Sequence, residues 1–258
     1  MIRMRHVWPI ATNTVREAIR NKVLYALLFF AVGVIGVAVV IASLSYVEGQ
    51  RIIQDIGLAS IRLFSLGIAV FVGVGLIHGE VERRTIYTIL SKPLSRSEFL
   101  VGKYLGLLMT VWLQLACMMI AFVAVSLATG APLSGGHVAA LGLLGMELVV
   151  IVALATFFSA FTSPLLASLF TLGIWGAGHL SRDLYALGQQ SGNESFAGAS
   201  TWMYRLLPDL EAFNVSVQAV HGLPIATSEL TLPILYAVGY AVALLIAAGW
   251  IFQGRDLK

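Results

Sequence analysis

Long apolar runs separated by short polar segments make up most of the chain. Six apolar runs recur, at residues 23–43, 56–78, 101–129, 137–161, 165–180 and 233–252. A helix needs about 20 apolar residues to cross the hydrocarbon core of a bilayer, whereas barrel strands alternate in polarity over about 10. The pattern predicts an all-α integral membrane protein, in which residues 1–258 form a single transmembrane domain with six transmembrane helices.

The segment before the first run predicts a further helix. Residues 1–22 place polar side chains, among them Asn13, Arg16 and Arg20, opposite an apolar side. The apolar side consists of Trp8, Ala11, Val15, Ala18 and Ile19. Apolar residues at helical spacing with basic residues opposite are typical of a helix that lies in the membrane interface.

The longest polar segment, residues 181–231, separates the fifth run from the sixth. It is not uniformly polar, because Leu210, Phe213, Val217 and Val220 recur at helical spacing. We therefore expect short interfacial or re-entrant helices between spans five and six. Pro233 is expected to open the last span, since proline is favoured at the first position of a helix.

Composition supports the membrane assignment. The chain has 258 residues, of which 59% are hydrophobic and 11% charged. Soluble domains carry about 25% charged residues, because water must solvate their surface. Composition therefore excludes an ordinary soluble protein.

Basic residues lie mainly on one side of the predicted membrane. With six spans both termini share a side, and 12 of the 16 lysines and arginines fall on it. These are Arg3, Arg5, Arg16, Arg20, Lys22, Arg83, Arg84, Lys92, Arg96, Lys103, Arg255 and Lys258. The positive-inside rule then predicts that both termini and the loop 79–99 are cytoplasmic. Because the basic residues flank separate spans and form no single stripe, nucleic acid is not a predicted partner.

The loop 79–99 between spans two and three holds the most distinctive residues. Val81, Ile86, Ile89 and Leu90 predict a short amphipathic helix that Pro93 stops. The candidate site residues in this loop are Glu80, Glu82, Arg83, Arg84, Thr85, Ser91, Lys92, Pro93, Ser95 and Arg96. By composition alone, the segment also fits an ordinary cytoplasmic loop.

The loop resembles the corresponding loop of ABC-2-type transporter permeases. The resemblance rests on Glu80-x-Glu82-x-x-Thr85, Leu90-Ser-Lys-Pro-Leu-Ser-Arg96 and Gly102-Lys103, together with the predicted topology. It implies that the loop is a cytoplasmic coupling helix, which docks on a separate ATPase subunit. It also implies export across the bacterial cytoplasmic (inner) membrane by two permease copies with two ATPases. Arg84 stands where the family often has glycine, so the docking surface is expected to differ there.

Nucleotide binding is expected on the partner rather than on this chain. The pair Gly102-Lys103 is followed by Tyr104, and Ser97 stands where a phosphate-binding loop would begin with glycine. The chain is thus expected to bind no cofactor, while ATP and Mg²⁺ bind the ATPase. It is also expected to catalyse no reaction of its own.

Two charged residues fall well inside predicted spans, Arg62 in span two and Glu147 in span four. A charge at the centre of a membrane helix costs about 3 kcal/mol on insertion scales, so such residues are functional candidates. Measured from the predicted span boundaries, Arg62 lies nearer the outer surface than Glu147. The Arg62 side chain is long enough to bridge this difference in depth. The pair is either a structural salt bridge or part of a substrate path, and Arg62 alternatively extends to the interface.

Two other function classes remain open. An intramembrane protease or lipid hydrolase needs a nucleophile with a base, or a metal cluster; Glu80-Val-Glu82 only partly resembles the acidic motif of intramembrane metalloproteases. His78 and His179 are predicted near opposite membrane surfaces, so no haem or metal site is expected. A non-transporting scaffold is the second alternative. No motif selects a transported substrate.

Overall fold

The computed structural model describes residues 4–45, 47–75 and 95–253, and all regular structure within these ranges is helical. The elements are α1 (Met4–Ile19), α2 (Lys22–Ser43), α3 (Gly49–Gly67), a π-helical turn (Ile68–Val72), α4 (Arg96–Thr129), α5 (Gly135–Ser159), α6 (Pro164–Gln190), α7 (Glu194–Leu206), a 3-10 turn (Glu211–Phe213), α8 (Ser216–His221) and α9 (Thr227–Gln253). The predicted all-helical class is confirmed for these residues.

Five helical segments in the described ranges are long and apolar enough to cross a membrane. They are Lys22–Ser43, Gly49–Gly75, Ser97–Thr129, Gly135–Ser159 and Thr227–Ile251. The 27 residues of α6 are long enough to span a bilayer, but its glycine, serine and histidine residues make it less apolar. The chain is therefore a multi-pass membrane protein, and the sixth span remains a prediction that concerns α6.

Three helix boundaries differ from the predicted spans by six residues or more. Helix α3 begins at Gly49 instead of residue 56, and α6 continues to Gln190 instead of ending at residue 180. Helix α9 begins at Thr227, so Pro233 lies inside the helix. The prediction that Pro233 opens this helix is therefore wrong. The Glu229 carboxylate accepts a hydrogen bond from the Ala226 amide, which satisfies a free donor at this earlier start.

Helix α5 lies at the centre of the bundle. It contacts α4, α6, α8 and α9, and most of its side chains are buried, including residues 147–156 without a gap. Its apolar composition fits a membrane span, and its burial by the neighbouring helices places it in the interior of the bundle. Glu147 is therefore surrounded by protein and not by lipid.

Helix α1 packs closely along the beginning of α4. A Cβ atom at Gly106 would lie 2.6 Å from the Ala11 carbonyl oxygen, and one at Gly102 would lie 2.8 Å from Cβ of Ile10. The two glycines therefore allow the helix backbones to approach. The predicted apolar side of α1 is divided: Ala11 and Ala18 are buried, whereas Trp8 and Ile19 are exposed. Here tertiary packing, which amphipathicity alone does not reveal, determines the buried face.

Candidate functional site

Arg62 and Glu147 lie at corresponding depths in their helices. Arg62 is 13 residues from the first residue of the segment Gly49–Gly75, and Glu147 is 12 residues from the first residue of α5. At 1.5 Å per residue, these positions are about 20 and 18 Å along the two helices. Both residues therefore lie near the middle of their helices, and their depths in the membrane stay a prediction.

The two side chains form an ion pair inside the bundle. Arg62 Nε lies 3.5 Å from Glu147 Oε2, and the side chains are 16% and 0% exposed. Glu147 Oε2 accepts no direct hydrogen bond among the described residues, so the contact is mainly electrostatic. The structure therefore brings together the two intramembrane charges identified in the sequence.

Helix α6 supplies further partners for Glu147. The indole Nε1 of Trp175 donates a hydrogen bond to Glu147 Oε1 at 3.0 Å, and His179 Nε2 lies 3.5 Å from the same oxygen. His179 Nδ1 faces the Trp175 carbonyl oxygen at 3.1 Å, which orients the ring toward the carboxylate. One carboxylate on α5 thus contacts side chains of both α3 and α6.

A segment that follows α7 and ends at the first residue of α8, residues Leu210–Ser216, enters the bundle from the polar region between α6 and α9. Leu210 and Phe213 are fully buried. The Phe213 carbonyl oxygen lies 3.5 Å from Arg62 Nη2, and Glu211 Oε2 lies 4.0 Å from His179 Nε2. We call this segment the plug, because it reaches the depth of the central charges.

Two cavities are lined in part by residues of the plug. The first has a volume of about 360 Å³, and Asp55, Arg62, Trp175 and Ser216 are among its lining residues. The second has a volume of about 540 Å³ and lies among α7, α8 and the beginning of α9. Asn214 of the plug lines both cavities.

Helix α3 carries charge on an exposed face. Asp55, Ala59 and Leu63 are exposed at helical spacing. Asp55 is seven residues from Arg62, which is about 10 Å along the helix. If this face lies at membrane depth, its contact with lipid would be costly.

Most of the predicted loop residues lie outside the described residues, namely Glu80, Glu82, Arg83, Arg84, Thr85, Ser91, Lys92 and Pro93. Ser95 and the backbone of Arg96 are described, and they begin α4. Ser95 Oγ accepts from the Glu98 amide, and the Glu98 carboxylate accepts from the Ser95 amide, both at 3.2 Å. This capping box joins the loop directly to α4.

Sequence reasoning did not identify Trp175, His179 or the plug as partners of the central pair. Trp175 and His179 are four residues apart on α6, so they differ by only about 40° around the helix axis and share a face. This spacing could have indicated that they contact the same partner. The approach of Phe213 was not predictable from a local pattern, because it lies 151 positions from Arg62. No group of three His, Cys, Asp or Glu residues suited to a metal ion occurs in residues 4–45, 47–75 and 95–253.

Comparison with known proteins matches almost the whole chain to one family. The model of the ABC-2 family transporter proteins matches residues 8–257. The probable ABC transporter permease protein NosY of Stutzerimonas stutzeri is 36% identical to this chain over 107 residues. That match covers 40% of this chain and 39% of the relative, so less than half of the relative's length is compared.

Proposed function

The chain belongs to the ABC-2 family of transporter proteins, and we propose that it is the membrane subunit of an exporter whose ATPase is a separate subunit. The observation that carries the proposal is the family match over residues 8–257. The buried charges and the cavities provide the features that a path through the bundle requires. Under this proposal the chain has no catalytic activity of its own.

Coupling to ATP hydrolysis is assigned to the loop 79–99. The capping box of Ser95 and Glu98 continues this loop into α4, a single helix of 34 residues. A long helix that is capped at the loop can transmit a displacement of the loop along its length. Helix α1 would move with it, since its backbone contacts α4 at Gly106.

The substrate path is assigned to the face shared by α3 and α6. Asp55 and Arg62 of α3 and Trp175 of α6 line the 360 Å³ cavity. A charged face at membrane depth is stabilised by water or by protein, and both occur where a path lies between two permease copies. We therefore assign this face to the boundary with a second copy, which is either identical or related.

The plug is assigned to the outer end of the path. It lines both cavities at Asn214, and Glu211 and the Phe213 carbonyl oxygen lie close to His179 of α6 and Arg62 of α3, respectively. Displacement of the plug would connect the cavities through the position of Asn214. Substrate passage would then require these contacts to separate and form again.

The same proposal includes an orientation in the membrane. The charge distribution supports cytoplasmic termini, a cytoplasmic loop 79–99 and an outer location for residues 181–231. The family context supports the bacterial inner membrane and an ATPase that binds ATP and Mg²⁺.

The proposal is tested by co-purifying candidate ABC ATPases from the same organism with the full-length chain in detergent. The variant is Glu82→Ala/Arg96→Ala, and the matched control is Glu48→Ala/Arg51→Ala, which removes an exposed ion pair of 2.9 Å outside the loop. We expect the ATPase to bind the wild type and the control but not the loop variant. Equal binding to all three proteins would place the docking surface elsewhere, and absence of binding to the wild type would refute the proposed assembly.

A further inference from the structure

Helix α1 has three distinct sides. One side, including Ala11 and Ala18, is buried against α4. At about 100° per residue, Trp8 and Ile19 point in nearly the same direction, about a quarter of a turn from the buried side. Both are exposed, at 62% and 40%. The helix therefore presents an apolar side that no described part of the chain covers.

The third side of α1 is basic and continues into the beginning of α2. Arg16, Arg20 and Lys22 are exposed, and none of them lies within 4.0 Å of a carboxylate oxygen in the described part of the chain. The acidic residue of α1, Glu17, instead lies 3.4 Å from Nζ of Lys103 on α4. Within the described residues, these three neighbouring positive charges thus have no carboxylate partner.

The arrangement specifies one kind of partner. Arg16 projects about 80° from Trp8, so the apolar and basic sides adjoin along the helix. The surface lies where α2, a candidate membrane span, begins. A soluble anion matches the basic side alone and leaves Trp8 and Ile19 in water. An anionic phospholipid matches both sides, with its headgroup at the cations and its acyl chains at the apolar residues.

We propose that Arg16, Arg20 and Lys22 bind the headgroups of anionic phospholipids, while Trp8 and Ile19 lie among the acyl chains. The Lys103 side chain is only 1% exposed, and its contact with Glu17 joins the lipid-binding helix to α4. The bound lipid would therefore fix the position of α1 and of the first turns of α4. This inference does not depend on the exporter assignment, because it concerns lipid binding by the chain itself.

The test uses the full-length chain in neutral detergent without an ATPase. Brominated phosphatidylglycerol or brominated phosphatidylcholine is added, and the loss of tryptophan fluorescence is measured. The loss in Trp8→Phe is subtracted from the loss in the wild type, which gives the quenching of Trp8 alone. The same measurement is made on Arg16→Gln/Arg20→Gln and on Arg16→Lys/Arg20→Lys, which keeps the charge. Arg51→Gln/Arg205→Gln is the matched control, since it removes two arginines outside the surface. Each protein is compared with a Trp8→Phe version of itself.

We expect phosphatidylglycerol to quench Trp8 at lower concentration than phosphatidylcholine. The glutamine variant should lose about thirtyfold in phosphatidylglycerol affinity, since each basic residue contributes roughly a fivefold effect at a membrane surface. The lysine variant and the control should retain the preference. Equal quenching by both lipids, or an equal loss in the control, would overturn the proposal. Displacement by inorganic phosphate at the lipid's own concentration would instead identify a free-phosphate site and also overturn it.

Discussion

Arg62 and Glu147 are 85 positions apart in sequence, yet their charged groups meet at the centres of two buried helices, with 3.5 Å between Nε and Oε2. The Arg62 side chain is mostly shielded from solvent, and the Glu147 side chain is completely buried. Separating two such charges in a low-dielectric environment leaves each without compensation. The contact therefore links the stability of the bundle to the position of the proposed path.

Replacing one member of this pair should destabilise the bundle more than replacing both. Glu147→Leu leaves the Arg62 guanidinium unpaired, and we expect a loss of about 3 kcal/mol in the free energy of unfolding. The double variant Arg62→Leu/Glu147→Leu should be less affected than Glu147→Leu. Unfolding in mixed micelles of increasing denaturing detergent measures both values. Strictly additive losses would show that the two charges do not interact.

The indole of Trp175 should stabilise the protein through its hydrogen bond to Glu147. Trp175→Phe removes a donor to a charged acceptor, which contributes about 2 kcal/mol. Trp112→Phe is the matched control, because its indole donates at the same distance of 3.0 Å to the neutral carbonyl oxygen of Gly145. The Trp175 variant should lose about 1 kcal/mol more in the unfolding free energy than the control. The reverse order would argue against an ionised Glu147.

The long apolar runs and the two intramembrane charges were predictable because hydrophobic length and charge in lipid are local properties of the sequence. The partners of those charges were not, because they depend on how helices rotate against one another. His179 illustrates the difference: no local pattern pairs it with Glu147, yet the packing of α6 places its Nε2 3.5 Å from Glu147 Oε1. Sequence thus identified which residues needed partners, and packing determined which partners they have.

The division of α1 into a buried side and an exposed apolar side has the same origin. Small residues such as Ala11 and Gly106 carry little hydrophobic signal, yet they determine where backbones approach. The amphipathic pattern therefore predicted the helix but not the face that packs on α4.

The close contact of α1 with α4 leads to a test with glycine. Gly106→Ala places a methyl group 2.6 Å from the Ala11 carbonyl oxygen, so the helices must separate, and we expect a loss of about 2 kcal/mol. Gly36→Ala is the control, because no described atom outside its own stretch of helix lies within 4 Å of its Cβ position. The control should be neutral or stabilised by up to about 1 kcal/mol through higher helix propensity. Equal thermal unfolding midpoints of the two variants would mean that the contact is not restrictive.

The plug should become more accessible when its anchor is weakened. Arg182 Nη2 lies 2.8 Å from Asp209 Oδ2, just before the plug begins. Because this pair is partly exposed, Asp209→Asn should raise the rate at which a membrane-impermeant thiol reagent modifies Asn214→Cys by only about two- to fivefold. Cys117→Ser removes the natural thiol from the background. Glu48→Gln, which removes a comparable exposed pair with Arg51, should leave the rate unchanged.

The sixth span can be tested at the two ends of α6. If α6 crosses the membrane, Thr162 before its first residue and Ser191 after its last residue lie on opposite sides. In the Cys117→Ser background, an impermeant thiol reagent added to intact cells whose outer membrane is permeable should modify Ser191→Cys but not Thr162→Cys. Thr162→Cys should react only after the inner membrane is opened. Reaction of both positions from the same side would show that α6 enters and leaves the membrane on one side, which would give five spans and place the two termini on opposite sides.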